Sequence, residues 1–296
     1  MIEVAAGVLL RADGAFLLAQ RPAGKVYAGY WEFPGGKMEP GEPPAQALAR
    51  ELHEELGIEI GEAYPWLTRV FTYPHGTVRL RFYRILSWQN EPHPREDQAI
   101  AWQRPEAPTA VPMLPANAPV LASLGLPAEY AITAARQLGT AQMLARLEQA
   151  LERGLKLLQV REPDLDDAGR RLFTEQAIGL AHRHGCKVLT KARFAGADGI
   201  HFTAAELMAL KDRPLGLVAA SCHTRAELER AMALELDFAV LGPVKDKASI
   251  GWERFAELAA GSSIPVYAIG GLSPADRHEA WRAGAHGVAM IRAAWA

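Results

Sequence analysis

Eight short apolar runs, spaced by helical patterns through the second half of the chain, constrain the fold more than any other feature. They cover residues 130–133, 155–161, 187–190, 199–202, 217–221, 238–242, 266–269 and 287–291, and segments such as 140–153, 172–184 and 225–236 between them carry apolar residues at helical spacing. Unbroken apolar character is what a parallel strand covered on both faces shows, and a succession of strand–helix units predicts a parallel (β/α) barrel. Residues 129–296 are few for such a barrel, which usually takes ~200 residues or more. The eight residues between Thr190 and Gly199 leave no room for a crossover helix, so a shortened TIM-type barrel is expected.

Ahead of this region, residues 104–119 read RPEAPTAVPMLPANAP, five prolines in sixteen residues. Each lacks an N–H and restricts its predecessor, which excludes a continuous helix or central strand. A total of 296 residues suits two domains, and the expected division is 1–128 and 129–296. Hydrophobic residues at 49% and charged residues at 22% are globular proportions. Thirty-two basic against thirty-four acidic residues, a net charge of −2, give no field to hold a nucleic-acid polymer. The longest apolar stretches, such as residues 4–10, fall short of the ~18 residues of a membrane span, and no basic segment precedes them as in a secretory signal. Cys186 and Cys222 are too few for a disulfide framework, so a reducing cytoplasm is the expected setting.

The first 128 residues read as α+β. Residues 4–10 and 15–20 flank Ala12-Asp13-Gly14, and 67–73 and 77–88 flank Pro74-His75-Gly76, predicting two hairpins. Between them a helix is expected over 44–56, burying Ala45, Leu48, Ala49, Leu52 and Leu56 and stopped by Gly57. Glu51, Glu54 and Glu55 share another face, with Arg50 as the one cation among them. Such a pattern is more often a solvated acidic face. Here, however, Gly35-Gly36 and Gly41 precede it, and glycines before a helix let backbone approach a phosphate closely. A hard cation such as Mg²⁺, which prefers oxygen ligands, would turn the mutual repulsion into a ligand set for a diphosphate.

From Gly36 to Ile58 the sequence follows G-x5-E-x7-R-E-U-x-E-E-x-G-U, with U a bulky aliphatic, at every fixed position. In this it resembles the Nudix family, and over most of residues 1–126 its MutT-type members. The resemblance implies an α/β/α sandwich with a mixed sheet. It also implies hydrolysis of a nucleoside triphosphate, an oxidised guanine nucleotide such as 8-oxo-dGTP, to the monophosphate and pyrophosphate. Mg²⁺ is the implied cofactor, with Mn²⁺ as a substitute. Glu51, Glu54 and Glu55 would bind metal with the Gly35 carbonyl, and Glu96, in the loop 91–98, would be a further ligand or general base. Arg21, Gly36 and Lys37 would face the phosphates or nucleotide, Asn117 would read the purine, and Phe33 would wall the base. Glu42 and Arg50 would brace the loop and helix. His75 stands where MutT-type members carry a basic residue.

Residues 129–296 resemble the thiamine phosphate synthase family and its TenI-like relatives. The matching pieces are Leu158-Gln-Val-Arg161-Glu162, Gly196-Ala-Asp198-Gly-Ile-His201, Ser221-Cys-His223-Thr224, Leu241-Gly242-Pro243-Val244, Ala268-Ile-Gly270-Gly271 and Gly284-Ala-His286-Gly287-Val288-Ala289. A small phosphorylated ligand is implied at the barrel mouth, near Gly270, Gly271 and Arg292 and with Arg161. His223 would be either a proton carrier or a helix cap, and Cys222 a core residue. Thr190-Lys191-Ala192-Arg193 replaces the Asn-Asp pair with which the synthases hold Mg²⁺, Glu206 replaces an Asp, and Pro163 a Lys. The barrel is therefore expected to be accessory or to bind a phosphorylated ligand. Hydrolysis of a thiamine-related diphosphate, or a bifunctional protein, is the alternative.

Overall fold

Alternation along the first strand decides how the N-terminal half is layered. The computed structural model describes every residue of the chain except His75 and Lys247, so the expectation for His75 lies outside the described residues. By contacts the chain forms two units, Met1–Gly125 and Leu126–Ala296. In chain order the first contains β1 (Ile2–Leu9), β2 (Phe16–Gln20), β3 (Trp31–Glu32), β4 (Gly35–Lys37), α1 (Pro44–Leu56), β5 (Glu59–Ile60), β6 (Ala63–Tyr73), β7 (Gly76–Ile85), β8 (Trp88–Gln89), β9 (Ile100–Gln103) and α2 (Ala118–Leu124). On β1, Ala5 and Leu9 pack with Leu48, Leu52 and Leu56 of α1, whereas Ala6 and Val8 pack with Val120, Leu121 and Leu124 of α2. A strand covered on both faces requires this period of two. The mixed sheet runs β4-β1-β7-β6, with β1 parallel to β7, and a second sheet runs β3-β2-β9. The result is the expected α/β/α sandwich.

Three local expectations need correction. The chain does turn at Ala12-Asp13-Gly14, where Arg11 N–H donates to Ala15 O at 2.9 Å. Yet among the described residues β1 and β2 form no ladder: one bridge, Leu10–Phe16, lies just past the end of β1, and β2 pairs with β3 and β9 in a different sheet. The second hairpin does form its ladder, between β6 and β7. It ends at Ile85, and Trp88 instead pairs with Ile60 in a separate two-stranded sheet. On α1, Ala45 lies exposed in the first turn and Ala49 is half-buried, while Ala47 joins Leu48, Leu52 and Leu56 in the core. Gly57 closes the helix in the left-handed region at φ 71°.

The second unit contains β10 (Glu129–Ile132), α3 (Ala135–Leu138), α4 (Thr140–Glu152), β11 (Leu157–Val160), α5 (Asp167–Arg183), β12 (Lys187–Thr190), β13 (Gly199–Phe202), α6 (Ala204–Ala209), β14 (Leu217–Cys222), α7 (Arg225–Ala233), β15 (Phe238–Leu241), α8 (Gly251–Ala259), β16 (Val266–Ile269), α9 (Arg277–Arg282) and β17 (Gly287–Met290). All eight strands are parallel and close on themselves, β10 pairing with β17, and no helix intervenes between β12 and β13. Phe238 and Val240 face inward with Tyr130, Leu157 and Tyr267, while Ala239 and Leu241 face the helices. Tyr130, Phe238 and Tyr267 fill the interior with ring centroids 5.0–5.8 Å apart. Above them Tyr130 Oη lies 2.9 Å from His201 Nδ1, and His201 Nε2 lies 3.0 Å from Ser221 Oγ. No helix of the described residues is long and apolar enough to cross a membrane.

Leu52 is fully buried beneath β1. Leu52→Ala is expected to reduce stability in denaturant titration by about 2–5 kcal/mol, the usual cost of such a cavity.

Candidate active site

Helix α1 and strand β4 approach so closely that one carboxylate lies on backbone. A Cβ built on Gly36 would overlap the Glu51 carboxylate, so only glycine leaves it room. Gly35 N–H donates to Glu55 Oε2 at 3.2 Å, pinning a second carboxylate to the same strand. Arg50 then ties loop to helix. Its Nε and Nη2 donate to Glu42 at 3.1 and 3.0 Å, Nη2 also donates to Lys37 O at 3.1 Å, and Nη1 donates to Glu51 at 2.8 Å. Glu54, half-exposed, lies 3.4 Å from the same guanidinium. Planar, forked donors make this a rigid clamp. Its hydrogen bonds to Glu42 and Glu51 push the Arg50 pKa further up, keeping it charged.

Charge accumulates around Glu55. Burial pushes its pKa up to about 7, the Gly35 N–H opposes this, and the negative charges of Glu32, Glu96 and Glu51 add to the rise. Glu32 is also raised by burial, against the lowering effect of Arg21, whose Nη1 pairs with it at 2.7 Å. Exposed Glu96 pairs with Lys25 at 2.9 Å. Glu32 and Lys25 were not legible as site residues. Neither lies in the glycine–carboxylate pattern, and their place beside Glu55 depends on how the loop 21–30 folds back. Among the described residues no three His, Cys, Asp or Glu side chains gather tightly enough to grip an ion. Each carboxylate is held by a protein cation or an N–H. The set nevertheless has the chemistry of a hard-cation site: clustered oxygens and an ionisation that burial and like charge oppose.

The remaining expected residues lie in different settings. Lys37 is exposed on β4 beside Gly36. Arg21 is committed to Glu32 and to Val26 O, at 2.7 Å each, rather than extended towards a nucleotide. Phe33, expected as a wall for the base, is 3% exposed and packed between Phe16 and Phe82 at 5.8 Å, which makes it a core residue. Asn117 is 2% exposed at the start of α2 and makes no side-chain cap. An amide in that position retains both a donor and an acceptor.

In the barrel the expected ligand residues divide between two cavities at the C-terminal ends of the strands. Arg161 lines one of about 970 Å³ with Lys191, Arg193 and Thr203. His223, Gly270, Gly271 and Arg292 line another of about 650 Å³. His223 Nδ1 lies 2.9 Å from Gly242 O, and Thr224, not His223, supplies the side-chain cap of α7. Glu206 is consumed by a capping box with Thr203. Cys222 is buried, which pushes its thiol up to about 12, as for a core residue.

Residues 5–123 match the family model described as NUDIX domain, and residues 129–294 match that described as thiamine monophosphate synthase. Over 123 residues the chain is 43% identical to CTP pyrophosphohydrolase of Escherichia coli, covering 41% of this chain and 89% of that protein. Over 121 residues it is 40% identical to 8-oxo-dGTP diphosphatase of Haemophilus influenzae, again covering 41% and 89%. Over 167 residues it is 33% identical to thiamine-phosphate synthase of Thermosynechococcus vestitus, covering 51% of this chain and 48%, about half, of that protein.

Glu55 carries a pH signature. Its carboxyl is raised from 4.5 to about 7, so the metal-free folded state binds more protons than the unfolded state between those values. Its contribution therefore falls as pH rises through that window and levels off above it. Glu55→Gln should remove the decline, seen as a flatter dependence of Tm on pH from 4.5 to 7 in EDTA.

Proposed function

We propose that this chain, which belongs to the Nudix family over residues 5–123 and to the thiamine monophosphate synthase family over residues 129–294, is a pyrophosphohydrolase of oxidised purine nucleoside triphosphates. Its substrate would be 8-oxo-dGTP, its products the monophosphate and pyrophosphate, and its metal Mg²⁺, with Mn²⁺ able to substitute. We assign it to the cytoplasm, where the nucleotide pool lies. The observation that carries this reading is the excess of carboxylate around Glu55, whose ionisation is opposed by burial and by Glu32, Glu96 and Glu51.

In this reading Glu51, Glu54, Glu55 and the Gly35 carbonyl hold the cation, with Glu96 completing the set or taking the proton of the attacking water. The bound cation supplies charge neutralisation for the phosphate oxygens and acidifies water. Water attacks the β-phosphorus in line, the bond from that phosphorus to the α–β bridging oxygen breaks, and the nucleoside monophosphate leaves, the water oxygen ending in pyrophosphate. Gly36 leaves room for the Glu51 carboxylate beside the backbone that faces the substrate, and Lys37 supplies a cation. Arg50 keeps the Gly36 loop and the carboxylates in register. Arg21 acts through Glu32. Asn117 contributes an amide to the base, which suits a purine or a pyrimidine edge. The 43% identity to a CTP pyrophosphohydrolase favours CTP as the second candidate. The barrel is an accessory module binding a small phosphorylated ligand through Gly270, Gly271, His223 and Arg292, with Arg161 facing the other cavity.

A panel of 8-oxo-dGTP, dGTP, CTP and thiamine diphosphate, each with Mg²⁺ and scored by kcat/KM, tests the assignment. Preference for 8-oxo-dGTP is expected, and a higher value for CTP or thiamine diphosphate would overturn it. In the same assay Glu55→Gln should lower kcat by about 100-fold, the loss of roughly 2.7 kcal/mol of transition-state stabilisation.

A further inference from the structure

Helix α1 ends in carbonyls that lack partners within the helix, as every α-helix does. One loop reaches three of them and the Gly57 carbonyl beyond. His93 N–H donates to Leu56 O at 3.1 Å, Arg95 N–H to Glu55 O at 3.0 Å, Arg95 Nη1 to His53 O at 3.2 Å, and Asn90 Nδ2 to Gly57 O at 3.5 Å. Gly57 makes the docking feasible, since a Cβ there would strike His93 and Arg95 at 2.6–2.9 Å. This same loop carries Glu96.

Gln98 finishes the junction. It is 6% exposed, with both ends of its amide in use. Nε2 donates to Glu55 O at 3.0 Å, and Oε1 accepts from Glu96 N–H at 2.7 Å. One rigid, buried amide thus connects the backbone of the helix carboxylate to the backbone of the loop carboxylate. Asp97 between them adopts φ 56°, closing the chain around that amide. Lys25 also holds Glu96, but by an exposed ion pair, a contact that water and salt weaken.

We infer that Gln98 is a positioning residue of the hydrolase site: it sets the distance and orientation of Glu96 relative to Glu55. The inference rests on the proposal that these two carboxylates serve one cation and one reaction. An apolar side chain of similar length would fill the space without connecting the two backbones. Glu96 would then keep its charge and its link to Lys25 but lose its fixed place. Displacements of about 1 Å at reacting groups can cost up to about 100-fold in rate.

The test uses the full chain as wild type, Gln98→Met and Gln98→Asn, whose amide is one methylene too short to reach both partners. Four measurements are compared: kcat and KM with 8-oxo-dGTP, or with CTP if the panel favours it; Kd for Mn²⁺ in nucleotide-free protein; Tm in EDTA; and amide hydrogen exchange. Wild-type turnover and Mn²⁺ binding report on the underlying reading, and the ratio of variant to wild type reports on Gln98. The expected result is a fall in kcat of about 10–100-fold, KM within about threefold, and Mn²⁺ binding weakened about tenfold, with amide exchange at residues 95–98 accelerated. The same pattern, smaller, is expected for Gln98→Asn. Wild-type kcat and Mn²⁺ affinity in either folded variant would overturn the inference. So would a loss of activity explained by a parallel loss of Tm, or confined to KM.

Discussion

Glu51 lies on the backbone of Gly36 because that residue has no side chain, and the geometry of the N-terminal unit follows from this approach. With the carboxylate there, Arg50 reaches Glu42, Lys37 O and Glu51 at once, so the glycine loop cannot move independently of α1. The helix is fixed from below by Leu48, Leu52 and Leu56 against β1, and at its C-terminal end by the loop 90–98. The polar face is thereby held rigid while it carries more negative charge than its own cations neutralise. Apolar burial supplies the stability that permits such an unfavourable electrostatic arrangement.

The barrel solves a different problem, closing eight strands with few residues. It omits a helix between β12 and β13 and spends its interior on three aromatic rings in place of many smaller side chains. Its mouth is left to short loops, which separate the cationic residues Arg161, Lys191 and Arg193 from the glycine-lined cavity beside His223.

The strands of the barrel could be read from the chain because most are buried on both faces and need no particular partner to be apolar. The helix 44–56 was equally legible, being both amphipathic and ended by Gly57. Pairing was not. The turn at Ala12-Asp13-Gly14 specifies a reversal, but the choice of β9 as the neighbour of β2 depends on contacts more than eighty residues distant. The same distance effect hid part of the site. Glu51, Glu54 and Glu55 declare themselves by helical spacing, whereas Glu32 and Lys25 enter only when separate segments fold together. Phe33 looked like a ligand wall because it stands just ahead of the glycine loop, yet it packs with Phe16 and Phe82 in the core.

The chain of polar atoms inside the barrel has a consequence of its own. Burial pushes the His201 pKa down to about 3 and the Tyr130 hydroxyl well above 10, so both stay uncharged at neutral pH. In a neutral imidazole one ring nitrogen donates and the other accepts, so Tyr130 and Ser221 take opposite roles at its two edges. The ring therefore couples β10 to β14 through β13 without adding a charge to the core, and a change of tautomer reverses both hydrogen bonds together.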